Sequence, residues 1–340
     1  MNVTVTGIGP MTPCVKGAQG LGDFHLERLW ARSEQPWFDP KVDIGGRGFK
    51  YLNAATRYLT AAIRQFEAVP KPGEVVADSD RKGMIIASNT CTRQEIDEFD
   101  RTLLERGCNA IDPMRAPSFC ANVGAGTLSI KHQAKAFNIT LVNPLTAGLE
   151  AVALAKTSII EGRASTVIVG AMEDDSEFVL GSGYPVTTIG GAWALRLQAV
   201  DASPASGAQA DRVARLGGTL NRFIPDIPGV TEAVESLAER LQQDFSPLLR
   251  GGGSLRVYVS MLTDSHSRHV HGLIERALNA HGIGTDAIVT PTQDTWLGTL
   301  LPLAHLSWCA LNLDRALCIA IGPLGHISAV EVMKPDAEYD

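Results

Sequence analysis

The chain has 340 residues, 45% of them hydrophobic and 20% charged, which is typical of a globular protein with a large core. Its 30 basic and 37 acidic residues give a net charge of −7, and no basic stripe suggests a nucleic-acid-binding surface. No apolar run reaches the ~20 residues of a membrane span, and the N-terminus lacks a secretory signal pattern. The six scattered cysteines form no CxxC pair and indicate a reducing compartment, so we expect a cytoplasmic protein.

The first part of the chain alternates predicted strands and helices joined by short connections. The predicted elements are a strand over 2–9 that turns at Gly7 and Gly9, a helix over 51–67, a strand over 83–88, a charged amphipathic helix over 93–106, a helix over 116–137, a strand over 139–144, a helix after a turn at 143–146, a strand over 166–172 and a surface strand over 187–200. Such alternation predicts an α/β fold with a mostly parallel sheet covered by helices.

The pattern restarts after DASPASGAQAD (201–211), a stretch rich in Ala, Ser and Gly that is typical of a linker. The later predicted elements are a strand over 254–262, a helix over 264–282, a strand over 287–291, a helix over 296–312 and two strands within 316–334. We therefore predict an N-terminal half at 1–200, a linker and connecting segment at 201–253, and a shortened C-terminal half at 254–335. The end of each half has a buried strand, a Gly-containing turn and a second strand, a weak internal repeat that indicates a duplicated unit.

The stretch at 141–174 reads as a strand, a tight turn, a helix and a buried strand. Many enzymes present a nucleophile at the N-terminus of such a helix, where the helix dipole lowers a thiol pKa and backbone N–H groups hold an oxyanion. Here the turn contains Asn143, Pro144, Leu145 and Thr146, with no cysteine or serine. The sequence therefore predicts the strand–turn–helix geometry that presents a nucleophile, but the turn has no cysteine or serine to act as one.

Several segments, in the same order along the chain, resemble the β-ketoacyl synthase family. They are VTVTGIGPMTP at the start, KYLNAATRYLTAAI (50–63), SFCANVGAGTLSIKHQAKAFNITLVN (118–143), EGRASTVIVGAMED (161–174) and IAIGPLGHISAVEVM (319–333). The resemblance implies the thiolase-like fold, in which two duplicated halves form five αβαβα layers, and usually a dimer.

The resemblance also implies which catalytic positions are vacated. Leu145 stands where the family has its cysteine nucleophile, and Thr292 stands where the family has its first catalytic histidine. The second histidine motif has no clear counterpart in the shortened second half. Leucine neither ionises nor accepts an acyl group, so we do not expect this chain to condense acyl units by itself.

One branch of the family lacks the cysteine in the same way. Chain length factors pair with an active ketosynthase in type II polyketide systems, and their stretch Gln-Ala-Gly-Gly-Leu-Asp-Ala is similar to residues 145–151 here. The glutamine of that stretch is replaced by Leu145, so a decarboxylating role is not expected. The short second half is more like the reduced ketosynthase-like proteins of aryl polyene and related fatty-acid-like pathways.

The resemblance therefore implies a non-catalytic subunit. The strand 139–143 would pair across a two-fold axis with an active ketosynthase, in a heterodimer or a larger assembly, and an acyl carrier protein would take part indirectly. The residues expected at the interface and acyl tunnel are Met114, Arg115, Phe119, Cys120, Ala121, Gly124, Gly126, Ile139, Leu141 and Asn143. Gly322, Gly325 and His326 would form a gate turn, and no cofactor or metal is expected.

Two other functions stay open. One is an acyltransferase or thioesterase of the same fold that uses Thr146, His326 or Cys120, although the sequence shows no base paired with such a nucleophile. The other is a homodimeric scaffold or acyl-chain binder. Dinucleotide binding is not expected. The GxG of TGIGP lacks the third glycine and the following helix of a dinucleotide-binding fingerprint.

Some residues that can carry chemistry have ordinary structural explanations. We expect Cys120 to be a small buried thiol on a helix, and His305 to be a hydrogen-bonded core residue. The histidines of HSRHVH (266–271) are expected on a solvated helix face, since two facing histidines alone make a weak metal site. The acidic run EDDSE (173–177) is expected to be a solvated loop.

Overall fold

The computed structural model describes residues 2–21, 36–45, 49, 52–71, 73–179, 185–200, 212–225, 232–250, 254–290 and 298–335. The strands are β1 (Asn2–Met11), β2 (Lys82–Ala87), β3 (Phe137–Leu141), β4 (Thr166–Glu173), β5 (Ser176–Val179), β6 (Pro185–Thr188), β7 (Gly191–Val200), β8 (Ala214–Phe223), β9 (Arg256–Met261), β10 (Ile288–Val289), β11 (Arg315–Ile321) and β12 (His326–Met333). The helices are α1 (Pro40–Asp43), α2 (Ala54–Arg64), α3 (Arg93–Arg106), α4 (Asn122–Lys131), α5 (Ala147–Ile160), α6 (Glu232–Leu249), α7 (Ser265–Asn279) and α8 (Leu300–Asn312). None of these helices is long and apolar enough to span a bilayer.

Ten strands form a continuous array that consists of two similar five-strand units. The first unit has the order β3-β2-β4-β7-β1, and the second has the order β10-β9-β11-β12-β8. In each unit the first three strands are parallel and the last two are antiparallel to their neighbours. The units meet where β1 pairs with β8 over only two residue pairs. The repeat predicted from the sequence is thus present as matching sheet topology.

The helices pack in three layers around the two units. Helices α5 and α8 contact each other and strands of both units, so they form the central layer. Helix α2 covers β1, β4 and β7 on one outer face, while α6 and α7 contact β8 and β11 on the other. Three separate hydrophobic clusters fill the spaces between these layers. The described chain therefore has the predicted five-layered αβαβα arrangement.

The apolar pattern explains why the strands lie inside. All residues of β2 after Lys82 are buried, as are all residues of β4 after Thr166, since helices cover both faces of a parallel sheet. Helix α2 starts at Asn53, whose side chain accepts a hydrogen bond from the N–H of Thr56 at 2.9 Å.

Gly148 lets the two central helices approach closely. A Cβ at this position would lie 2.5 Å from the carbonyl oxygen of Thr299, just before α8. The halves therefore meet through a glycine on the helix that follows the predicted nucleophile turn.

Three predicted elements differ from the structure. The helix expected over 116–137 is instead a 3₁₀ segment, Pro113–Phe119, followed by the shorter α4. The strand expected at the surface over 187–200 is β7, which lies between β1 and β4 and has a buried first half. The turn expected at Gly7 and Gly9 is absent: β1 has a bulge between Val5 and Gly7, pairs regularly at Gly9 and continues to Met11.

The segment 201–253 contains regular structure that its composition did not indicate. Strand β8 and helix α6 both lie within it, and they supply the fifth strand and an outer helix of the second unit. The proposed boundaries at 200 and 254 stay a prediction, but this interval is more than a connection. The linker-like stretch 201–211 lies outside the described residues.

Candidate functional site

The turn between β3 and α5 is a strained strand-to-helix turn, a geometry that presents a nucleophile in many enzymes. Leu145 lies at φ +66°, in the left-handed region that a branched side chain rarely adopts. The N–H of Thr146 donates to the carbonyl oxygen of Pro144 at 2.8 Å, and the N–H of Ala147 donates to that of Asn143 at 3.2 Å. Such a strained turn is typical of functional sites.

The side chain at this turn is enclosed in the protein core. Leu145 is fully buried and belongs to the central hydrophobic cluster, together with Leu149 and Leu303. The first turn of α5 is further fixed by Asn143, whose side-chain amide donates to the Glu150 carboxylate at 2.7 Å. A hydrocarbon side chain thus occupies the position at the N-terminus of α5, and it offers no group that ionises or attacks a thioester.

Thr146 does not form a nucleophile–base pair. Its side chain is fully buried, and within the described chain its hydroxyl has no hydrogen-bond partner. A hydroxyl needs a base within hydrogen-bond reach to become a nucleophile, so this arrangement does not activate Thr146.

The predicted gate turn lies against the Leu145 turn. A Cβ on Gly322 would be 2.9 Å from the carbonyl oxygen of Pro144 and 3.5 Å from Cγ2 of Thr146. The turn is closed by the N–H of Gly325, which donates to the carbonyl oxygen of Gly322 at 3.0 Å. The ring of His326 packs on the exposed ring of Phe223, with centroids 4.8 Å apart. The structure therefore brings together the Leu145 turn and the turn at 322–326, which are distant in sequence. Thr292, the predicted vacated histidine position, lies outside the described residues.

The residues predicted at the interface and tunnel follow one another from the 3₁₀ segment through α4 to β3. Strand β3 is the edge strand of the sheet, so one side of its backbone faces away from β2. Exposed or half-buried positions are Met114, Arg115, Phe119, Cys120, Ala121, Gly126, Ile139, Leu141 and Asn143. Gly124 is buried, and a Cβ there would lie 2.6 Å from Thr56 Oγ1. Their role at an interface stays a prediction.

Arg115 is held within its own chain. Its guanidinium donates to the carboxylates of Glu95 and, at 2.8 Å, Glu98 on α3. Phe119 packs edge-on against Phe99, with ring centroids 4.8 Å apart. The 3₁₀ segment is thereby fastened to α3, and neither element has a buried residue.

The acidic run at 173–177 was expected to be solvated, but its first two carboxylates are fully buried. Glu173 accepts hydrogen bonds from backbone or hydroxyl donors of Ser88, Asn89, Thr90 and Thr299. These donors lie in distant parts of the sequence, so the local pattern gave no signal for this site.

Asp174 is buried beside Glu173. Its Oδ1 accepts a hydrogen bond from the N–H of Ala55 at 2.9 Å, and its Oδ2 has no partner among the described residues. Burial raises the pKa of Asp174 to about 8, and the nearby charge of Glu173 adds to this effect. We therefore expect this carboxyl group to be largely protonated at pH 7.

One serine–histidine pair exists in the core, but it cannot act as a catalytic pair. The hydroxyl of Ser260 lies 2.8 Å from Nδ1 of His305, as expected of a hydrogen-bonded core histidine. Both side chains are buried, and burial lowers the pKa of His305 to about 3, which makes it a weak base. The pair therefore has neither the basicity nor the exposure that acyl transfer requires.

The histidines of HSRHVH (266–271) were expected on a solvated helix face, but His266 and His271 are half-buried. His269 is exposed, while His266 and His271 contact the Ile224 carbonyl and the Thr290 hydroxyl. Within the residues described, no group of three or more His, Cys, Asp or Glu side chains forms a potential metal site.

No disulfide links the described cysteines, and Cys120 and Cys108 lie outside the core. Cys91, Cys309 and Cys318 are buried, and burial raises the pKa of Cys91 to about 12. Cys120 was expected to be a buried thiol on a helix; it is instead exposed at the end of the 3₁₀ segment. Cys108 is also exposed.

Comparisons with known proteins agree with the fold of the chain. No family model matches the chain. The 3-oxoacyl-[acyl-carrier-protein] synthase 2 of Mycobacterium leprae (strain TN) is 28% identical over 203 residues, which cover 54% of this chain and 47% of that protein. The chain thus spans about half the length of the curated relatives it matches.

Solved structures match almost the whole chain. A ketosynthase structure described as "AntDE:AntF (apo): type II PKS acyl-carrier protein in complex with its ketosynthase bound to the hexaketide" has a TM-score of 0.74 and 17% identity. The ishigamide ketosynthase/chain length factor has a TM-score of 0.68 and 18% identity. In both cases the match covers 98% of this chain and 99% of the other.

The strand order and the arrangement of the layers define an α/β protein with a thiolase-like fold. More narrowly, the chain has the fold of the ketosynthases, and the resemblance to β-ketoacyl synthases is confirmed.

Proposed function

We propose that this chain is a non-catalytic ketosynthase-like subunit, similar to a chain length factor. It pairs with an active β-ketoacyl-acyl-carrier-protein synthase in polyketide, aryl polyene or fatty-acid-like biosynthesis. The observation that carries the proposal is Leu145, a fully buried hydrocarbon side chain at φ +66° in the nucleophile turn. The strained turn and the absence of a thiol there are consistent with a structural subunit that shapes the acyl tunnel while its partner performs the condensation.

An edge of the sheet that has no neighbouring strand among the described residues supports pairing with another subunit. Strand β3 is at the edge, and Val142, just after it, is exposed. Natural proteins usually cover or charge such an edge, because its unpaired backbone groups recruit other chains. Pairing of β3 with the same strand of a ketosynthase would satisfy these groups. The ketosynthase complexes among the structural neighbours are consistent with such an assembly.

Side chains beside this edge would then shape the partner's acyl tunnel. Met114 is 78% exposed although it is large and apolar, and the chain runs from it through α4 into β3. We expect the bulk of residue 114 to limit how far an acyl chain extends, since intrusion into a closed cavity costs roughly 1–3 kcal/mol.

The test uses a purified ketosynthase encoded beside this chain, its acyl carrier protein and malonyl and acyl thioesters. Light scattering measures complex formation, and mass spectrometry measures product length with and without this chain. We expect a complex, and we expect Met114→Trp to shorten the products. Leu311→Trp, at an exposed position near the C-terminal end of α8, whose main strand contact is β11, should leave them unchanged. Identical products in all mixtures and no complex would overturn the proposal.

The alternative of a relocated nucleophile predicts a different result. An acyltransferase or thioesterase would form a covalent adduct at Thr146, Cys120 or His326, or release free thiol from an acyl thioester. Mass spectrometry of the chain alone after incubation with acyl thioester separates the two functions. An acylated residue that turns over would exclude a purely structural subunit.

A further inference from the structure

A small cavity lined by charged and aromatic side chains lies between α3 and the 3₁₀ segment Pro113–Phe119. It has a volume of about 190 Å³, and its lining includes Glu95, Glu98, Phe99, Ala110, Arg115 and Phe119. This volume is below the 300–1,000 Å³ typical of pockets for drug-sized ligands. The cavity therefore suits a single side chain better than a cofactor or an acyl chain.

The chemistry of the cavity combines aromatic rings with carboxylates. Phe99 and Phe119 meet edge to face at 4.8 Å, and Glu95 and Glu98 stand beside them with Arg115 between their carboxylates. The hydrogen bond from Arg115 lowers the pKa of Glu98, so this carboxylate is charged at neutral pH. Aromatic rings next to carboxylates favour a cation that brings a long aliphatic stem.

The surface around the cavity also favours a positively charged partner group. Helix α3 carries five acidic and three basic residues, and none of its residues is buried. Leu104 on this helix is 85% exposed, and Met114 is also exposed beside the cavity. The surface thus has apolar area to cover and an excess of negative charge, which favours a basic partner group and repels an acidic one.

We infer that this cavity is a socket for one lysine or arginine side chain of the partner subunit. The inference rests on the proposed pairing, because the 3₁₀ segment leads through α4 directly into the edge strand β3. In the complex the stem of the basic side chain covers the rings of Phe99 and Phe119, and its charged head contacts Glu95 and Glu98. Such a pocketed anchor is the kind of contact that dominates binding energy at interfaces.

The experiment measures the dissociation constant of the complex with the purified neighbouring ketosynthase at several salt concentrations. In Glu95→Gln/Glu98→Gln both carboxylates are neutral, and we expect at least tenfold weaker binding with a smaller salt dependence. Glu105→Gln makes the same chemical change on α3 outside the cavity, and it should bind like the unmodified chain. In a second variant, Ala110→Met, the cavity is filled while the Arg115 contacts stay intact, and binding should again weaken at least tenfold.

Each outcome separates this inference from the proposed function. If the unmodified chain forms the complex and both the double variant and Ala110→Met bind equally well, the socket is wrong and the pairing stands. If the unmodified chain forms no complex, the proposed pairing fails and the socket fails with it. Circular dichroism and thermal unfolding of each variant confirm that the fold is retained.

Discussion

Thr299 donates both its backbone N–H and its hydroxyl to the buried carboxylate of Glu173, at 3.0 and 2.8 Å. Glu173 ends β4 in the first unit, and Thr299 directly precedes α8, whose main strand contact is β11 of the second. Since backbone and hydroxyl groups of Ser88, Asn89 and Thr90 share the same carboxylate, one anion joins three segments. The carboxylate thereby sets where α8 begins.

Neutralising Glu173 should therefore destabilise the protein strongly. In Glu173→Gln one oxygen becomes an NH₂ group that faces donors, so several buried N–H and O–H groups lose their acceptor. Because bonds to a charged group contribute about 1.5–3 kcal/mol each, we expect a loss of roughly 3 kcal/mol or more in unfolding free energy. Urea denaturation measures it, with Glu105→Gln on the exposed face of α3 as the control. A loss below about 1 kcal/mol, the size of one ordinary hydrogen bond, would contradict the role of this carboxylate.

The buried carboxyl group of Asp174 should make stability depend on pH. Its pKa is about 8 in the folded state and about 3.9 when unfolded, so between these values the folded protein binds an extra proton. Its contribution to stability is complete below about pH 4 and falls as pH rises toward 8, by at most about 1.4 kcal/mol per pH unit.

Asp174→Asn keeps a hydrogen-bond acceptor for Ala55 without the titration. The difference in unfolding free energy between the asparagine variant and the unmodified protein should therefore grow in favour of asparagine from pH 5 to pH 8. Equal slopes for the two proteins would mean that Asp174 does not titrate in this range.

The strained backbone at Leu145 predicts an unusual order of stability for its alanine and glycine variants. Leu145→Ala leaves a cavity and should cost about 2–5 kcal/mol. Leu145→Gly also relieves the left-handed backbone, which costs an L-residue about 1–2 kcal/mol, so the glycine variant should be no less stable than the alanine variant.

Leu149 provides the matched comparison for this order. It is also fully buried, but it lies within α5, where glycine is about 1 kcal/mol worse than alanine. We expect Leu149→Gly to be less stable than Leu149→Ala, as thermal or urea unfolding will show. The same order at both positions would argue against strain at Leu145.

Two glycines in helices should respond to alanine in opposite ways. In Gly148→Ala the new Cβ approaches the Thr299 carbonyl oxygen, so overpacking should cost about 1–3 kcal/mol. At Gly272, on α7, an added Cβ would point into open space, with no atom of another element within 4 Å. Gly272→Ala should therefore stabilise the protein by about 0.5–1 kcal/mol. Calorimetry of both variants tests whether α5 and α8 approach as closely as Gly148 indicates.

The sequence predicted those features that depend on local patterns. The apolar run before Ser88 became buried strand β2, and the charged amphipathic pattern over 93–106 became α3 with the expected ends. The turn that contains Leu145 was located because it lies between a predicted strand and a predicted helix; that it is a vacated nucleophile position stays a prediction.

Features that depend on distant contacts were not predicted. Glu173 was expected in solvent because its donors come from residues 88–90 and 299, which no local pattern connects with it. Cys120 was expected inside a helix, but Pro117 lies within the preceding turn, where proline disfavours a continuous α-helix, and the thiol is exposed. Strand β8 was missed because its alternation is weak next to a linker-like composition.

The two rungs that join β1 to β8, Thr4 to Arg215 and Val5 to Ala214, have a mechanical consequence. A force that pulls the two sheet units apart meets few backbone hydrogen bonds between β1 and β8, whereas β7 pairs with β1 and β4 along most of its length. Under load we expect the strand pairing to break first between β1 and β8, and the remaining resistance to come from α5 and α8, which contact strands of both units.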